Sequence, residues 1–501
     1  MTAGTPPQPE RVPTGVAGLD RILQDGFRRG GIYFIAGQSG TGKTVLGNQI
    51  CFNHVAAGGR AVYVTLLAET HAHLLDNLRS LRFFSRDVVG DALYYISAAS
   101  DFDAQGYQGL LDLLRTTVRQ RQATVLVIDG LPSEAESGAG ILSFQRFLQK
   151  LQVTMEAHGC TSFVLEHLMN GAPLHPAYPM ADGIIHLTNE RRGLRAVREL
   201  EVFKFRGSSY LEGRHLLQIT AAGLVVYPRT EQVLAGATPD SPEQRVHRGW
   251  GIPRLDEMTS GGPLSGSTTM LLGSPGSGKT LLGLHFLLEG ARQEQPGLYF
   301  GFYEMPSRLI EKAQRVGLDL QSAVDRGMIE IIWQPALGTI LDLLAERLLA
   351  AVYRRSVQRL FIDGIDGLRQ TTDYPERIDG FLTALTNELR TYNVTTLASL
   401  ELHRLFGPAV DVPLDGLSAI AENLIFLRYV ELRSQIYRLI SIIKMRDSNH
   451  DMAIREFTIS GTGIEVAETF ESAEAILTGI ARPLPPMIDP QSSEQADGTA
   501  T

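Results

Sequence analysis

Two cysteines are too few to build a scaffold: Cys51 and Cys160 stand alone, with no Cys-x-x-Cys and no Cys/His cluster. That argues against a disulfide framework and a zinc site, and it fits a reducing compartment. Long apolar runs are also missing, none reaching the ~18 residues a spanning helix needs. Met1 to Arg11 is rich in Pro, Thr and Gly without an apolar centre, which does not read as a signal peptide, so the expected location is cytoplasmic. Positive charge is in deficit, with 46 Lys and Arg against 55 Asp and Glu and a net charge of −9. A surface devoted as a whole to nucleic acid does not fit that balance, although a local basic groove does. With 44% hydrophobic and 20% charged residues the chain is globular, and 501 residues are too many for one ordinary core.

What the chain has is a plan written twice. Thr14-Gly15-Val16-Ala17-Gly18-Leu19-Asp20, the apolar run Gly31 to Ala36 and Gly37-Gln38-Ser39-Gly40-Thr41-Gly42-Lys43-Thr44 form the first copy. Trp250-Gly251-Ile252-Pro253-Arg254-Leu255-Asp256, the run Thr268 to Leu272 and Gly273-Ser274-Pro275-Gly276-Ser277-Gly278-Lys279-Thr280 form the second. Val125 to Asp129 is answered by Leu360 to Asp363, and Lys204-Phe205-Arg206 by Lys444-Met445-Arg446. The lysines of the two Gly-rich segments stand 236 positions apart, the aspartates 234 and the cationic segments 240. The join falls in the polar stretch Pro228 to Arg248. In each half short β-branched runs alternate with amphipathic stretches, which predicts α/β domains, each with a mostly parallel sheet flanked by helices. The expected domains are residues 1–235 and 245–465, followed by a flexible, Pro-, Ser- and acid-rich tail over 466–501.

G-x-x-x-x-G-K-[ST] after a buried strand is a phosphate-binding P-loop: glycines let backbone N–H groups turn inward, and the helix that follows adds its positive end. The nucleotide contacts expected are Gly40, Thr41, Gly42, Lys43, Thr44 and Val45 in the first half. In the second they are Gly276, Ser277, Gly278, Lys279, Thr280 and Leu281. Thr44 with Asp129, and Thr280 with Asp363, are the expected Mg²⁺ residues beside ATP. Glu69 and Glu304, after the strands that follow the P-loop helices, are the expected bases that orient water. Lys204/Arg206 and Lys444/Arg446 lie on strand-like segments. Their repetition suggests cations offered to a neighbouring subunit's γ-phosphate, which would require a ring.

These segments together resemble the KaiC family of RecA-like P-loop ATPases. The resemblance covers about residues 12 to 465 and is carried by Tyr429-Val430-Glu431, Lys444-Met445-Arg446 with Ser448, His450 and Asp451, and Ala453 to Phe457. Lys204 to Ser209 is similar in the first half. The resemblance implies two tandem RecA-like domains in a two-tiered homohexamer with ATP clamped between subunits, and regulatory protein partners. It adds Ser80, Lys204, Phe205, Arg206, Ser208, Arg438, Lys444, Met445, Arg446, Ser448 and His450 as nucleotide contacts.

The departures concern phosphotransfer. Adjacent glutamates of the family pattern become Ala68-Glu69 and Tyr303-Glu304, leaving one carboxylate per site. The neighbouring Ser/Thr acceptors become Ser418 and Ala419, so a single candidate for autophosphorylation remains. Asp447 replaces a glycine beside the phosphate-facing cations. Two other readings stay open: a DNA-dependent RecA- or DnaB-like ATPase, and a scaffold in which ATP only joins subunits. Arg191, Arg192, Arg195 and Arg198 form the one dense basic cluster, expected in a hairpin at a subunit interface.

Overall fold

Strand Ile32–Gly37 is buried at every position, as a run of Ile, Tyr, Phe, Ile and Ala demands when both faces of a sheet are covered. The computed structural model describes residues 10–66, 71–131, 141–168, 178–193, 195–236, 245–335, 340–402, 420–432 and 435–468. Glu69 and Ser418 lie outside them. By its contacts the chain divides into two units, Met1–Val233 and Leu234–Thr501.

The first unit is built on a nine-stranded sheet. From one edge the strands are Gly223–Tyr227, Arg214–Thr220, Arg195–Phe205, Gly183–Arg192, Ile32–Gly37, Thr161–His167, Val125–Asp129, Ala61–Thr65 and Leu93–Ser97. The last six are mutually parallel, while the first three extend the sheet as antiparallel hairpins. The second unit repeats this order with Gly463–Val466, Arg455–Ser460, Gln435–Met445, Asn423–Leu432, Thr268–Gly273, Thr395–Glu401, Arg359–Asp363, Gly297–Gly301 and Ile329–Trp333. Each is the tandem RecA-like arrangement, a mostly parallel sheet between helices.

Each sheet carries an apolar cluster on either face. One face of the first sheet packs against helix Lys43–Ala56, the other against Ala99–Arg121 and Ile141–Ala157. The central hairpin of each unit bulges at the same place: pairing slips between Ile184 and Ile185 and again between Leu424 and Ile425. Phe203 and Ile443, the unpaired residues, are exposed. A repeated bulge that re-aims the chain just before Lys204 and Lys444 is a built feature rather than an irregularity.

Candidate nucleotide sites

Each loop is shaped by the strand beside it. A Cβ on Gly37 would stand 2.4 Å from the Leu187 carbonyl oxygen, and one on Gly273 2.5 Å from that of Leu427. Backbone meets backbone there, so only glycine fits. Gly42 and Gly278 then take φ of 108° and 104°, and helices Lys43–Ala56 and Lys279–Arg292 start at once. The helix N-terminus is thereby presented at the end of a buried strand, the arrangement that holds phosphate.

Lys43 Nζ donates to the carbonyls of Gly37 and Gln38 at 2.6 and 2.8 Å; Lys279 Nζ donates to Gly273 and Ser274 at 2.7 and 2.8 Å. Both ammonium groups therefore stand within the loop. Burial lowers both lysine pKa values, and acids oppose the shift: Asp129 in the first unit, Glu401 ahead of Asp363 and Asp366 in the second. Thr41 is buried and donates to Gln38 O at 2.8 Å, whereas the buried Ser277 hydroxyl has no hydrogen-bond partner among the described residues. Val45 packs at the edge of the first core, and Leu281 is buried within the second.

Thr44 Oγ donates to Asp129 Oδ2 at 3.1 Å, and Thr280 Oγ to Asp363 Oδ2 at 2.9 Å. A hydroxyl beside a carboxylate is a hard-oxygen set suited to Mg²⁺. Sequence reasoning missed a third member. Tyr63 donates to Asp129 Oδ2 at 2.6 Å and Tyr299 to Asp363 Oδ2 at 2.8 Å. Burial, then the facing aspartate, raises both phenol pKa values, so each remains a donor. The available signal was the repeat, since these tyrosines share the 236-residue offset of the lysines. Asp363 also accepts from Ser399 Oγ at 2.7 Å, where the pairing of the first unit sets Leu165 beside Asp129.

Arg198 and Arg438 occupy matching places, paired across the hairpin with Asn189 and Tyr429. Arg198 Nε donates to the Gly40 carbonyl at 3.4 Å. The Arg438 guanidinium lies 5.6 Å from the Tyr429 ring centroid, and the Tyr429 hydroxyl approaches Gly276. The basic cluster does lie in a hairpin, yet Arg198 serves its own P-loop, which the sequence had not shown.

The cationic segments stand elsewhere. Phe205, buried, pairs with Gly183, and Gly183 with Tyr33, four residues before Gly37. Lys204 Nζ donates to the carbonyls of Tyr178 and Pro179 at 3.1 and 2.8 Å, and Arg206 to Pro179 at 2.7 Å. In the second unit Lys444 Nζ donates to Ala421 O at 3.3 Å, and Met445 pairs with Asn423. Desolvation, followed by the adjacent arginine, lowers the pKa of both lysines. Arg11 donates to Ser208 Oγ at 2.6 Å, Ser448 donates to Asn449 O at 3.2 Å, and His450 is half-buried nearby. Asp447 takes φ 62°, as its counterpart Gly207 takes 73°, and it pairs with Arg245 at 3.2 Å. Ser80 is exposed on the turn after helix His71–Leu78. Glu304 forms an ion pair with Lys312 at 2.6 Å.

No helix among the described residues is long and apolar enough to cross a membrane. A family model described as the KaiC ATPase matches residues 12–231 and again 249–471. The circadian clock oscillator protein KaiC of Parasynechococcus marenigrum is 25% identical over 490 residues, 96% of this chain and 94% of its own length. KaiC 1 of Synechocystis is 26% identical over 94% of this chain and 91% of its own. KaiC of Synechococcus elongatus is 26% identical over 93% and 91%.

Proposed function

Because this chain belongs to the KaiC family of ATPases, we propose that both of its sites bind ATP with Mg²⁺ and hydrolyse it between the subunits of a double-ring homohexamer. The observation that carries the ring is the distance between each loop and its own cations. Phe205 sits beside Tyr33, four residues short of Gly37, so the cations lie about 13 Å back along the sheet from the loop. Lys204 and Arg206 are therefore out of reach of their own γ-phosphate and suited to a neighbour's, with Lys444 and Arg446 placed likewise. The exposed Phe203 and Ile443 at the bulges give that neighbour an apolar contact.

In each site the loop and its lysine bind the β- and γ-phosphates, and the arginine in trans offsets charge that develops during transfer. Thr44 with Asp129 and Thr280 with Asp363 would hold Mg²⁺, which supplies charge neutralisation across the phosphates. Tyr63 and Tyr299 fix the carboxylates. Glu69 is the proposed base in the first unit and Glu304, in an ion pair with Lys312, in the second. By likeness to the clock oscillator relatives, the nucleotide state of the ring signals to regulatory proteins in a cytoplasmic setting, and Ser418 is the phospho-acceptor if one is used. The DNA-dependent alternative gains no support, since Arg198 of the basic cluster points to Gly40.

Native mass with and without ATP tests the ring: six copies with ATP and fewer without it are expected, and a monomer under both conditions refutes it. Turnover that survives Lys43→Ala together with Lys279→Ala removes the hydrolase reading. Equal labelling by γ-labelled ATP in the parent and in Ser418→Ala removes the acceptor.

A further inference from the structure

Asp182 and Glu422 hold the same place in the two units, each one residue before a strand that pairs with the P-loop strand. Both carboxylates grip the first residue of that P-loop strand: Ile32 N donates to Asp182 Oδ2 at 2.9 Å, and Thr268 N to Glu422 Oε2 at 2.8 Å. The backbone returns the contact, from Asp182 N to Ile32 O at 2.9 Å and from Glu422 N to Thr268 O at 3.0 Å. Ile32 and Thr268 each stand five residues before the glycine that opens the loop, about 16 Å along the strand. Neither acid therefore reaches the phosphates of its own loop.

The same two residues hold the cationic segments. Arg206 N donates to Asp182 O at 2.7 Å and Arg446 N to Glu422 O at 3.2 Å, in each case just past the hairpin bulge. Desolvation, then the adjacent arginine, lowers the pKa of Lys204 and of Lys444, and the acid in question, Asp182 or Glu422, opposes that shift. In the second unit the grip is doubled, because Arg390 on helix Ile378–Thr391 donates to Glu422 Oε1 at 2.6 Å. One residue thus joins the start of the P-loop strand to both cations. The repeat keeps this junction although one unit builds it with Asp and the other with Glu.

We infer that Asp182 and Glu422 are positioning residues for hydrolysis in the adjacent subunit: each fixes, from the P-loop strand of its own chain, the Lys–Arg pair that meets the neighbour's γ-phosphate. The inference rests on the reading of those cations as acting in trans. Charge that develops during transfer is offset only by cations already in place, and a displacement of about 1 Å costs heavily in rate. The strand that begins at Ile32 or Thr268 ends at the loop. A single buried element therefore runs from a chain's own nucleotide to the cations it offers its neighbour. Loss of the carboxylate slows the neighbour's turnover and spares the chain's own ATP binding.

The test uses the full chain carrying Lys279→Ala, so that turnover reports the first unit, with ATP binding measured separately. Asp182→Ala is expected to lower kcat by about tenfold or more while ATP affinity stays within about threefold. Asp182→Asn, which keeps an oxygen for Ile32 N, recovers part of the rate and excludes a folding defect. Mixing supplies the readout that a merely structural role would not move. Chains with Asp182→Ala have sound loops and misplaced cations, and chains with Lys43→Ala have the reverse. In mixed rings, identified by native mass, turnover should rise several-fold above the sum of the two alone, because sound loops then face sound cations. Arg206→Ala, mixed in the same way, is the control. Unchanged turnover in Asp182→Ala, loss of ATP binding in step with turnover, or no recovery on mixing while Arg206→Ala recovers each overturns the assignment. Failure of Arg206→Ala to recover on mixing refutes the trans arrangement itself.

Discussion

Tyr299 shows how a single hydroxyl can hold a carboxylate at a strand end. Asp363 accepts from Thr280, Tyr299 and Ser399, so losing the phenol leaves the carboxylate one donor short in a desolvated place. Tyr299→Phe is expected to destabilise the second unit by about 1–3 kcal/mol and to raise the Mg²⁺ concentration needed for half-maximal turnover, read from metal titrations. Asp447 is strained at φ 62°, in a region that glycine occupies freely. Asp447→Gly relieves that strain at the loss of an exposed ion pair with Arg245, and should raise stability by up to about 1 kcal/mol in denaturant melts. His285, on the P-loop helix, accepts from Ile464 N at 3.0 Å, and burial followed by Arg292 lowers its pKa to about 4. Its folded pKa lies below the unfolded value near 6.5, so its contribution is complete above about pH 6.5 and is lost as pH falls through 4. The contribution is on the order of 3 kcal/mol. Melts of the parent should weaken over that window, and those of His285→Gln should weaken less.

At the scale of elements, the strand ends set the chemistry. Gly37→Ala would drive a methyl into the Leu187 carbonyl at the mouth of the loop, so ATP binding at the first site should fall below detection while the second still binds. Equilibrium binding stoichiometry, dropping from two per chain to one, checks this. The strand, turn and helix of each P-loop were legible in sequence because a motif, a buried apolar run and a repeat all agreed. The runs Val125 to Asp129 and Thr268 to Leu272 lie within one residue of the strands they form, since each is a short, mostly apolar stretch. The antiparallel hairpins were less legible. Their alternation of charged and apolar residues is that of any half-solvated strand, and the bulges at Phe203 and Ile443 appear only once partners are known. Arg198 and Glu401 escaped for the same reason: proximity to a loop made by a distant segment leaves no local mark. Glu401 reads in sequence as one acid after an apolar run, and only the pairing with Gly273 sets it beside the loop.

Across the whole chain, duplication explains what matches and what does not. The loops, their lysines, the Thr–Asp–Tyr sets and the bulged hairpins recur, whereas the first unit sets Leu165 and His167 where the second has Ser399 and Glu401. Two sites with similar grips on nucleotide and different strand ends should turn over at different rates. Comparing Lys43→Ala with Lys279→Ala should therefore give unequal kcat values, and equal values would contradict the asymmetry. The strands ending in His167 and Glu401 are each seven residues long and pair with the P-loop strand in the same register. The two halves thus contain exchangeable parts: a seven-residue graft would carry the second half's strand end into the first without altering a loop. Such a gene, recombining with itself, could redistribute its chemistry between its halves while keeping its fold.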